Sequence, residues 1–366
     1  MKAFSKLANR LSLYKKESPE PTPNKQTTAS AQPSPPQVDG PIHVLSDLHL
    51  EICSQYSTFK VPKTNAAYLI LAGDIGRLVD YEPLLGFLEG LVSSYRRIFY
   101  VLGNHEFYTL TYERGLSEAH RLEKEPSLNG KVSILHRTRW DEDAQESPVP
   151  SLTVLGCTLW THVPPESRDV VGHAIGDVKY IEDWTIDSHN QMHSEEVAWL
   201  RQQVAALRTA TAAAAAKRTV VVVTHHVPTV EGTSRSKYAG SLWASAFTTE
   251  LILPGSNTSN TGNTRHTEAD AGRVADDTKP WEGVAAWIYG HTHYSNDFVR
   301  GGVRLVANQR GYVFPPNPDI FKAEDAAGAD KRGQSGKSSF RIIERKAHQD
   351  EGKGLHAFNP ARTIAL

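Results

Sequence analysis

Cysteine is scarce in this sequence, which has two, Cys53 and Cys157, among 366 residues. Two thiols allow at most one disulfide, so they exclude both a disulfide framework and a zinc site built from thiolates. Free cysteine is among the residue types most often buried. We therefore expect both thiols to be reduced and buried.

Net charge and long apolar runs are lacking as well. The 40 basic and 41 acidic residues leave a formal net charge of -1, so no overall field attracts the chain to nucleic acid or to an acidic membrane. No apolar stretch approaches the roughly 20 residues that a membrane-spanning helix needs, and the N-terminus lacks the apolar core of a secretory signal. We expect a cytoplasmic protein without a transmembrane segment.

The N-terminus carries a local charge pattern of its own. Over residues 1–16, apolar side chains at helical spacing are interspersed with basic side chains and no acidic ones. This pattern is typical of a mitochondrial presequence or a membrane-surface helix, and a basic tail without a targeting role shares it. Mitochondrial localisation is therefore the alternative to the cytoplasm. Residues 18–39 are rich in Pro, Ser, Thr and Gln, so residues 1–40 are predicted to form a disordered tail.

The folded part begins near Pro41, where a recurring pattern starts. Five short apolar runs, each typical of a buried strand, lead into residues that can bind metals. The runs are 42–45, 68–72, 98–102, 220–223 and 286–289. Helical patterns lie between the runs, so the order predicts an α/β fold whose polar residues gather at the carboxyl ends of the strands.

Two segments interrupt this order. Residues 161–195 contain several His and Asp residues and predict an extended loop region, which either shapes a substrate pocket or is a solvated surface excursion. Residues 254–280 are rich in Asn, Thr, Gly and Asp, which predicts a flexible insertion.

The end of the domain is placed by composition. Residues 303–307 favour one more strand, and residues 308–312 a structural turn after it. We expect the compact domain to span residues 41–320. Residues 321–366 mix Ala, Gly, Lys and Asp, which predicts a mostly irregular C-terminal tail.

The strand ends together supply seven oxygen and nitrogen ligands. They are Asp47, His49, Asp74, Asn104, His225, His291 and His293. Imidazole and carboxylate ligands suit Mn, Fe, Zn or Co, and seven ligands exceed what one ion takes from a protein. Two divalent ions that share one carboxylate account for the set, and Asp74 is the natural bridge because it stands alone at its strand end. A hydroxide held between the ions would attack phosphorus in line, which predicts phosphoester hydrolysis.

The order Asp-x-His, Gly-Asp, Gly-Asn-His-Glu, a strand-terminal His and Gly-His-x-His, over residues 41–312, resembles the calcineurin-like metallophosphoesterase superfamily, including its fungal and bacterial branches. The resemblance implies a four-layer α-β-β-α sandwich of two mixed β-sheets flanked by helices. It also implies which residues share an ion. One ion would bind Asp47, His49, Asp74 and His293, and the other would bind Asp74, Asn104, His225 and His291.

By the same resemblance, His105 binds no metal. Its counterpart in the superfamily faces the substrate and acts as the general acid for the leaving oxygen, or stabilises the phosphoryl group. Glu106 is predicted to lie behind the ligands and to orient His105. His225 and His226 compete for one ligand position; we favour His225, which leaves the strand first, and expect His226 to lie beside the ligands or to contact substrate.

The complete ligand set favours an enzyme over the alternative, a catalytically silent scaffold or interaction module on the same fold. The ligands do not distinguish a phosphatase from a phosphodiesterase, and they do not identify the metals. Because the chain has no basic excess, we expect a small phosphoester rather than nucleic acid as the substrate. The sequence predicts no oligomeric state.

Overall fold

The computed structural model describes residues 40–142, 151–209, 218–238, 240–241, 243–254, 279–314 and 356–366. The predictions for the tail over residues 1–39, for almost all of the 254–280 insertion and for residues 321–355 lie outside this part of the chain. Within it, no helix is both long and apolar enough to cross a membrane.

The described strands form two sheets. The strands are β1 Ile42–Leu45, β2 Tyr68–Ala72, β3 Arg97–Val101, β4 Val132–Leu135, β5 Thr138–Asp141, β6 Ser151–Cys157, β7 Arg218–Thr224, β8 Val284–Tyr289, β9 Asn296–Arg300, β10 Val303–Ala307 and β11 Thr363–Ile364. Sheet 1 has the order β11-β1-β2-β3-β4, and sheet 2 has the order β5-β6-β7-β8-β10-β9. The strands β11, β5 and β9 pair antiparallel, whereas the inner strands of both sheets pair in parallel. Both sheets are therefore mixed.

Within the described ranges, five α-helices accompany the sheets. They are α1 Tyr81–Val92, α2 Tyr112–Glu123, α3 Arg168–Ala174, α4 Asp177–Tyr180 and α5 Ile186–Thr209. Leucines on the buried face of α1 and α2 pack against one face of sheet 1. Leu200 and Val204 of α5 pack against the outer face of sheet 2. The layers therefore run helices, sheet, sheet, helix, and the predicted four-layer sandwich is confirmed.

Side chains alternate along each strand between the core that separates the two sheets and the core under the helices. Successive side chains of a strand point to opposite faces of its sheet. In β2, Ile70 belongs to the core between the sheets, whereas Leu69 and Leu71 belong to the core under α1 and α2. In β7, Val221 faces the other sheet and Val222 faces α5. Because these strands are buried on both faces, they are continuous apolar runs in the sequence, which is why their positions were predictable.

The region 161–195 was predicted to be an extended loop region, and that prediction is wrong for most of it. The segment contains α3 and α4, and α5 begins at Ile186. After Ile186, the buried face of α5 continues with His189, His193 and Glu196 before it becomes apolar at Leu200 and Val204. Polar residues occupy the positions where helical periodicity requires apolar ones, so the first half of the helix was not recognised.

The compact domain was predicted to end at residue 320, but a later segment also belongs to it. Thr363 and Ile364 form β11, which pairs antiparallel with β1. Upstream of it, the Asn308 side chain donates a hydrogen bond to the carbonyl oxygen of Asn359 at 2.8 Å. A strand of two residues is too short to show an alternating apolar pattern in the sequence. Its place in sheet 1 depends on tertiary contacts, which sequence patterns do not reveal.

Neither cysteine forms a disulfide. Cys157 is buried at the end of β6, as predicted. The prediction of burial is wrong for Cys53, which is partly exposed in the short 3-10 helix Ile52–Ser57.

Candidate metal centre

Many of the predicted ligands lie where the backbone turns sharply after a strand. Asp47, His49, Asp74, His291 and His293 have φ angles of 53°, 46°, 53°, 75° and 51°. This left-handed region costs an L-residue roughly 1–2 kcal/mol, although Asp and His tolerate it better than most types. Such strain persists only where neighbouring structure over-determines the backbone, so contacts around the strand ends must hold these turns.

A first group of ligand atoms combines both sheets. His49 Nε2 lies 2.9 Å from His293 Nε2, Asp47 Oδ1 lies 3.5 Å from His293 Nε2, and Asp74 Oδ2 lies 3.7 Å from His49 Nε2. Donors bound to one ion at about 2.1 Å, with bond angles of about 85–125°, lie roughly 2.8–3.7 Å apart. The spacing of this group therefore fits a shared metal ion.

A second group lies on the other side of Asp74. His225 Nε2 lies 3.0 Å from Asn104 Oδ1, 3.1 Å from His291 Nδ1 and 3.4 Å from Asp74 Oδ1. The two oxygens of Asp74 thus face different groups, as a bridging carboxylate requires. The structure brings all seven predicted ligands together in these two groups, and the assignment of each ligand to an ion stays a prediction.

The two adjacent histidines that follow β7, His225 and His226, have different surroundings. His225 faces Asp74, and its Nδ1 lies 3.1 Å from the carbonyl oxygen of Ala72. The ring of His226 is turned behind it, with centroids 4.1 Å from His291 and 5.3 Å from Trp160. Within the described residues, His226 Nε2 has no hydrogen-bond partner. The geometry favours His225 as the ligand and puts His226 beside it.

Glycines precede three of the ligands because other ligands fill the space of a side chain there. A Cβ would collide with His225 at Gly73, with Asp74 at Gly103 and with Asp47 at Gly290. Of the three, Gly73 also has a positive φ, of 85°, in the region that favours glycine. The close approach of neighbouring strand ends therefore requires these glycines.

A buried carboxylate connects the ends of β2 and β3. Glu106 accepts hydrogen bonds from the backbone N–H groups of Asp74 at 3.0 Å, Ile75 at 2.8 Å and Gly103 at 2.7 Å. It also accepts one from the Tyr100 hydroxyl at 2.7 Å. Glu106 therefore fixes the backbone that carries the Asp74 carboxylate.

Glu106 was predicted to orient His105, and that prediction is wrong because its oxygens are directed at the backbone. Glu51 has that position instead. Its Oε1 lies 2.9 Å from His105 Nδ1 and 3.1 Å from His49 Nδ1, so it turns the Nε2 atoms of both rings toward Asp74. Burial alone would raise the pKa of Glu51, but the hydrogen bonds from His105 and His49 lower it to about 2.

His105 lies at the edge of both groups. Its Nε2 is 3.9 Å from Asp74 Oδ2, and together with His49 and Asp74 it forms a third combination close enough to hold an ion. Burial alone would lower the pKa of His105, but the carboxylates of Asp74 and Glu51 raise it to about 9. The raised pKa favours the protonated form of the ring.

Sequence patterns did not identify Asp177 as part of the centre. Asp177 lies in α4, and its Oδ1 accepts hydrogen bonds from Asn104 Nδ2 at 2.7 Å and from the Tyr108 hydroxyl at 3.0 Å. Because the amide nitrogen of Asn104 faces Asp177, its oxygen faces His225. Asp177 thereby sets the orientation of a neutral ligand, and neither Asp177 nor Glu51 lies in a motif that could have indicated it.

The role of the strand-end glycines can be tested with Gly103→Ala. The added methyl group collides with the Asp74 carboxylate, so we expect Mn²⁺ affinity to fall roughly 10- to 100-fold, as measured by isothermal titration calorimetry. Gly90→Ala in α1 is the matched control, because nothing lies within 4 Å of a Cβ there, and it should bind Mn²⁺ like wild type. Equal affinities in the two variants would contradict the requirement for glycine.

The orienting role of Asp177 predicts a selective loss of one ion. Asp177→Ala removes the charged acceptor of the Asn104 amide and leaves it only the Tyr108 hydroxyl, at 2.9 Å. Calorimetry with Mn²⁺ should therefore show one site weakened by roughly 10- to 100-fold and the other nearly unchanged. Asp187→Ala, at a side chain that is 80% exposed, should leave both sites intact. Wild-type binding by the Asp177 variant would show that Asn104 needs no such support.

Comparison with known proteins gives a consistent picture. A family model described as calcineurin-like phosphoesterase matches residues 40–295. The chain is 24% identical over 295 residues to an uncharacterized protein of Acanthamoeba polyphaga mimivirus, which covers 75% of this chain and 92% of that protein.

Two solved structures are similar to this chain at low identity. The phosphopantetheinyl hydrolase of Mycobacterium tuberculosis has a TM-score of 0.47 and 16% identity, over 74% of this chain and 89% of that one. A dimetal phosphatase from Danio rerio has a TM-score of 0.38 and 11% identity, over 74% of this chain and 87% of that one.

Proposed function

This chain belongs to the calcineurin-like phosphoesterase family, and on that basis we propose that it hydrolyses phosphoesters with two divalent metal ions. The observation that carries the proposal is the position of Asp74, whose Oδ1 lies 3.4 Å from His225 and whose Oδ2 lies 3.7 Å from His49. One carboxylate between two groups of ligands is the arrangement that a two-metal hydrolase needs.

We assign the ions to the two groups that share Asp74. One would be held by Asp47, His49, Asp74 and His293, and the other by Asp74, Asn104, His225 and His291. Such ions supply an activated water and neutralise charge on the phosphoryl oxygens. The mixed nitrogen and oxygen donors suit Mn, Fe, Zn or Co.

His105 is proposed as the general acid. Glu51 holds its Nδ1, so its Nε2 is directed to the space beside the shared carboxylate. A proton on Nε2 can there be transferred to the leaving oxygen of a substrate bound across the two groups. Glu51 acts through His105 and His49 and is a positioning residue.

The substrate is proposed to be a small phosphomonoester or phosphodiester. The near balance of 40 basic and 41 acidic residues does not favour a nucleic acid, which needs basic residues along its phosphate backbone. A silent scaffold on the same fold is the competing function, and the measurement of turnover distinguishes it.

The proposed activity is tested on purified protein reconstituted with Mn²⁺, using p-nitrophenyl phosphate and bis(p-nitrophenyl) phosphate. We expect metal-dependent release of p-nitrophenol from at least one of them, and its loss in Asp74→Asn because the shared ligand loses its charge. Asp169→Asn, at an exposed position of α3, is the matched control and should retain activity. Bound metal without turnover on either ester would favour the scaffold.

Removal of the proposed acid should slow the reaction without removing the ions. We expect His105→Ala to lower kcat by roughly 10²- to 10⁴-fold, while metal content by mass spectrometry stays at the wild-type level. His120→Ala, on the exposed side of α2, controls for loss of a histidine. If metal content falls with His105→Ala, His105 is a ligand and the acid must be sought elsewhere.

A further inference from the structure

The segment that follows β10 reaches the metal centre. Its strand is parallel to β8, so its carboxyl end lies at the same edge as the ligand-bearing strands. Backbone N–H groups of Arg310 and Gly311 donate to the carbonyl oxygens of Ser46 at 3.1 Å and Asp47 at 3.0 Å. Gly311 has a φ of 73°, and the turn there delivers Tyr312. The predicted turn over residues 308–312 therefore also carries a side chain to the site.

Tyr312 packs on the ligands of one proposed ion. Its ring centroid lies 4.2 Å from that of His49 and 4.8 Å from that of His293. Its hydroxyl lies 3.0 Å from His105 Nε2, the atom to which we assign the transferred proton. The ring thus packs on the ligand side chains, whereas the hydroxyl points at His105 Nε2, where proton transfer is proposed.

This position lies on the accessible side of the centre. The side chains of His105 and His293 are 12% and 16% exposed, whereas that of His49 is fully buried. Tyr312 is partly exposed beside them. A substrate must approach the two ligand groups from this side, and there it meets the Tyr312 hydroxyl.

The charged side chain of the same segment is directed away from the centre. Arg310 donates to the carbonyl oxygen of Leu48 at 3.0 Å and to Gln55 Oε1 at 2.7 Å, and its guanidinium lies 4.5 Å from the centroid of the Phe59 ring. Arg310 is therefore engaged in holding the segment in place. Tyr312 is the residue by which the segment can contact substrate.

We propose that Tyr312 is a substrate-binding residue whose hydroxyl donates a hydrogen bond to the phosphoryl group, an inference that rests on the proposed function. Without substrate, the hydroxyl pairs with His105 Nε2. A phosphoryl oxygen that enters beside His105 takes the place of this partner and accepts from both groups. Hydrogen bonds to charged acceptors are about twice as strong as neutral ones, so a neutral donor at this point favours an anionic phosphoryl group.

The test uses Tyr312→Phe, which removes the hydroxyl and keeps the ring on His49 and His293. In the Mn²⁺-loaded protein we expect kcat/KM to fall roughly 10- to 100-fold, with metal content and Tm unchanged. The Kd for inorganic phosphate, measured by calorimetry, should rise roughly 10-fold or more. Tyr81→Phe is the matched control, since its hydroxyl also bonds a partner, Glu125 Oε1 at 2.6 Å, but lies in α1.

The two readouts separate this inference from the proposed function. Unchanged phosphate affinity and unchanged kcat/KM in Tyr312→Phe would overturn the role of the hydroxyl. A loss of bound Mn²⁺ in this variant would also overturn it, because the hydroxyl would then support the metal ligands. Absence of turnover in the wild-type protein would count against the proposed function. In that case the phosphate titration alone decides on Tyr312, and weaker binding by the variant would support it.

Discussion

The candidate metal centre depends on the packing of the two sheets through their inner apolar faces. Sheet 1 supplies the carboxylates Asp47 and Asp74, and sheet 2 supplies the imidazoles of His225, His291 and His293. An ionised carboxylate buried without partners costs several kcal/mol, and the three imidazoles of sheet 2 complete neither ligand group without the side chains of sheet 1. Each sheet therefore carries ligands that are useful only opposite those of the other, and the distance between the sheets decides whether they meet.

The strained turns at the strand ends need a compensating interaction, and Glu106 shows how it is provided. Asp74 has a φ of 53°, which costs roughly 1–2 kcal/mol. The Glu106 carboxylate bonds the backbone on both sides of that turn, at Asp74 and Ile75, and also at Gly103. Burial and the neighbouring Asp74 raise the pKa of Glu106 to about 7. At the roughly 0.5–1.5 kcal/mol net of an ordinary hydrogen bond, three such bonds offset the strain. Glu106 is conspicuous in the sequence because of its neighbours Asn104 and His105, but it supports the backbone rather than the His105 ring.

Much of the fold and the ligand set could be predicted, and the exceptions share a physical cause. Parallel strands buried on both faces are continuous apolar runs, and the seven ligands follow them within a few residues, so both could be identified. Glu51, Asp177 and Tyr312 come from a turn, a one-turn helix and the loop after β10, none of which has a period. The first half of α5 was missed because buried polar residues, His189 and His193 among them, replace apolar ones. The positions of all these missed residues depend on contacts between segments that are distant in the sequence.

The pairing of β11 with β1 has a consequence for synthesis of the chain. The strand that precedes Asp47 and His49 is bordered on its outer side by Thr363 and Ile364, and 317 residues separate His43 from its hydrogen-bond partner Pro360. At about 5–20 residues per second, a ribosome needs roughly 15–65 s to make that stretch. During this time the outer edge of β1 is open to pairing with other chains. The first ligand-bearing strand of the two sheets is thus among the last to be enclosed.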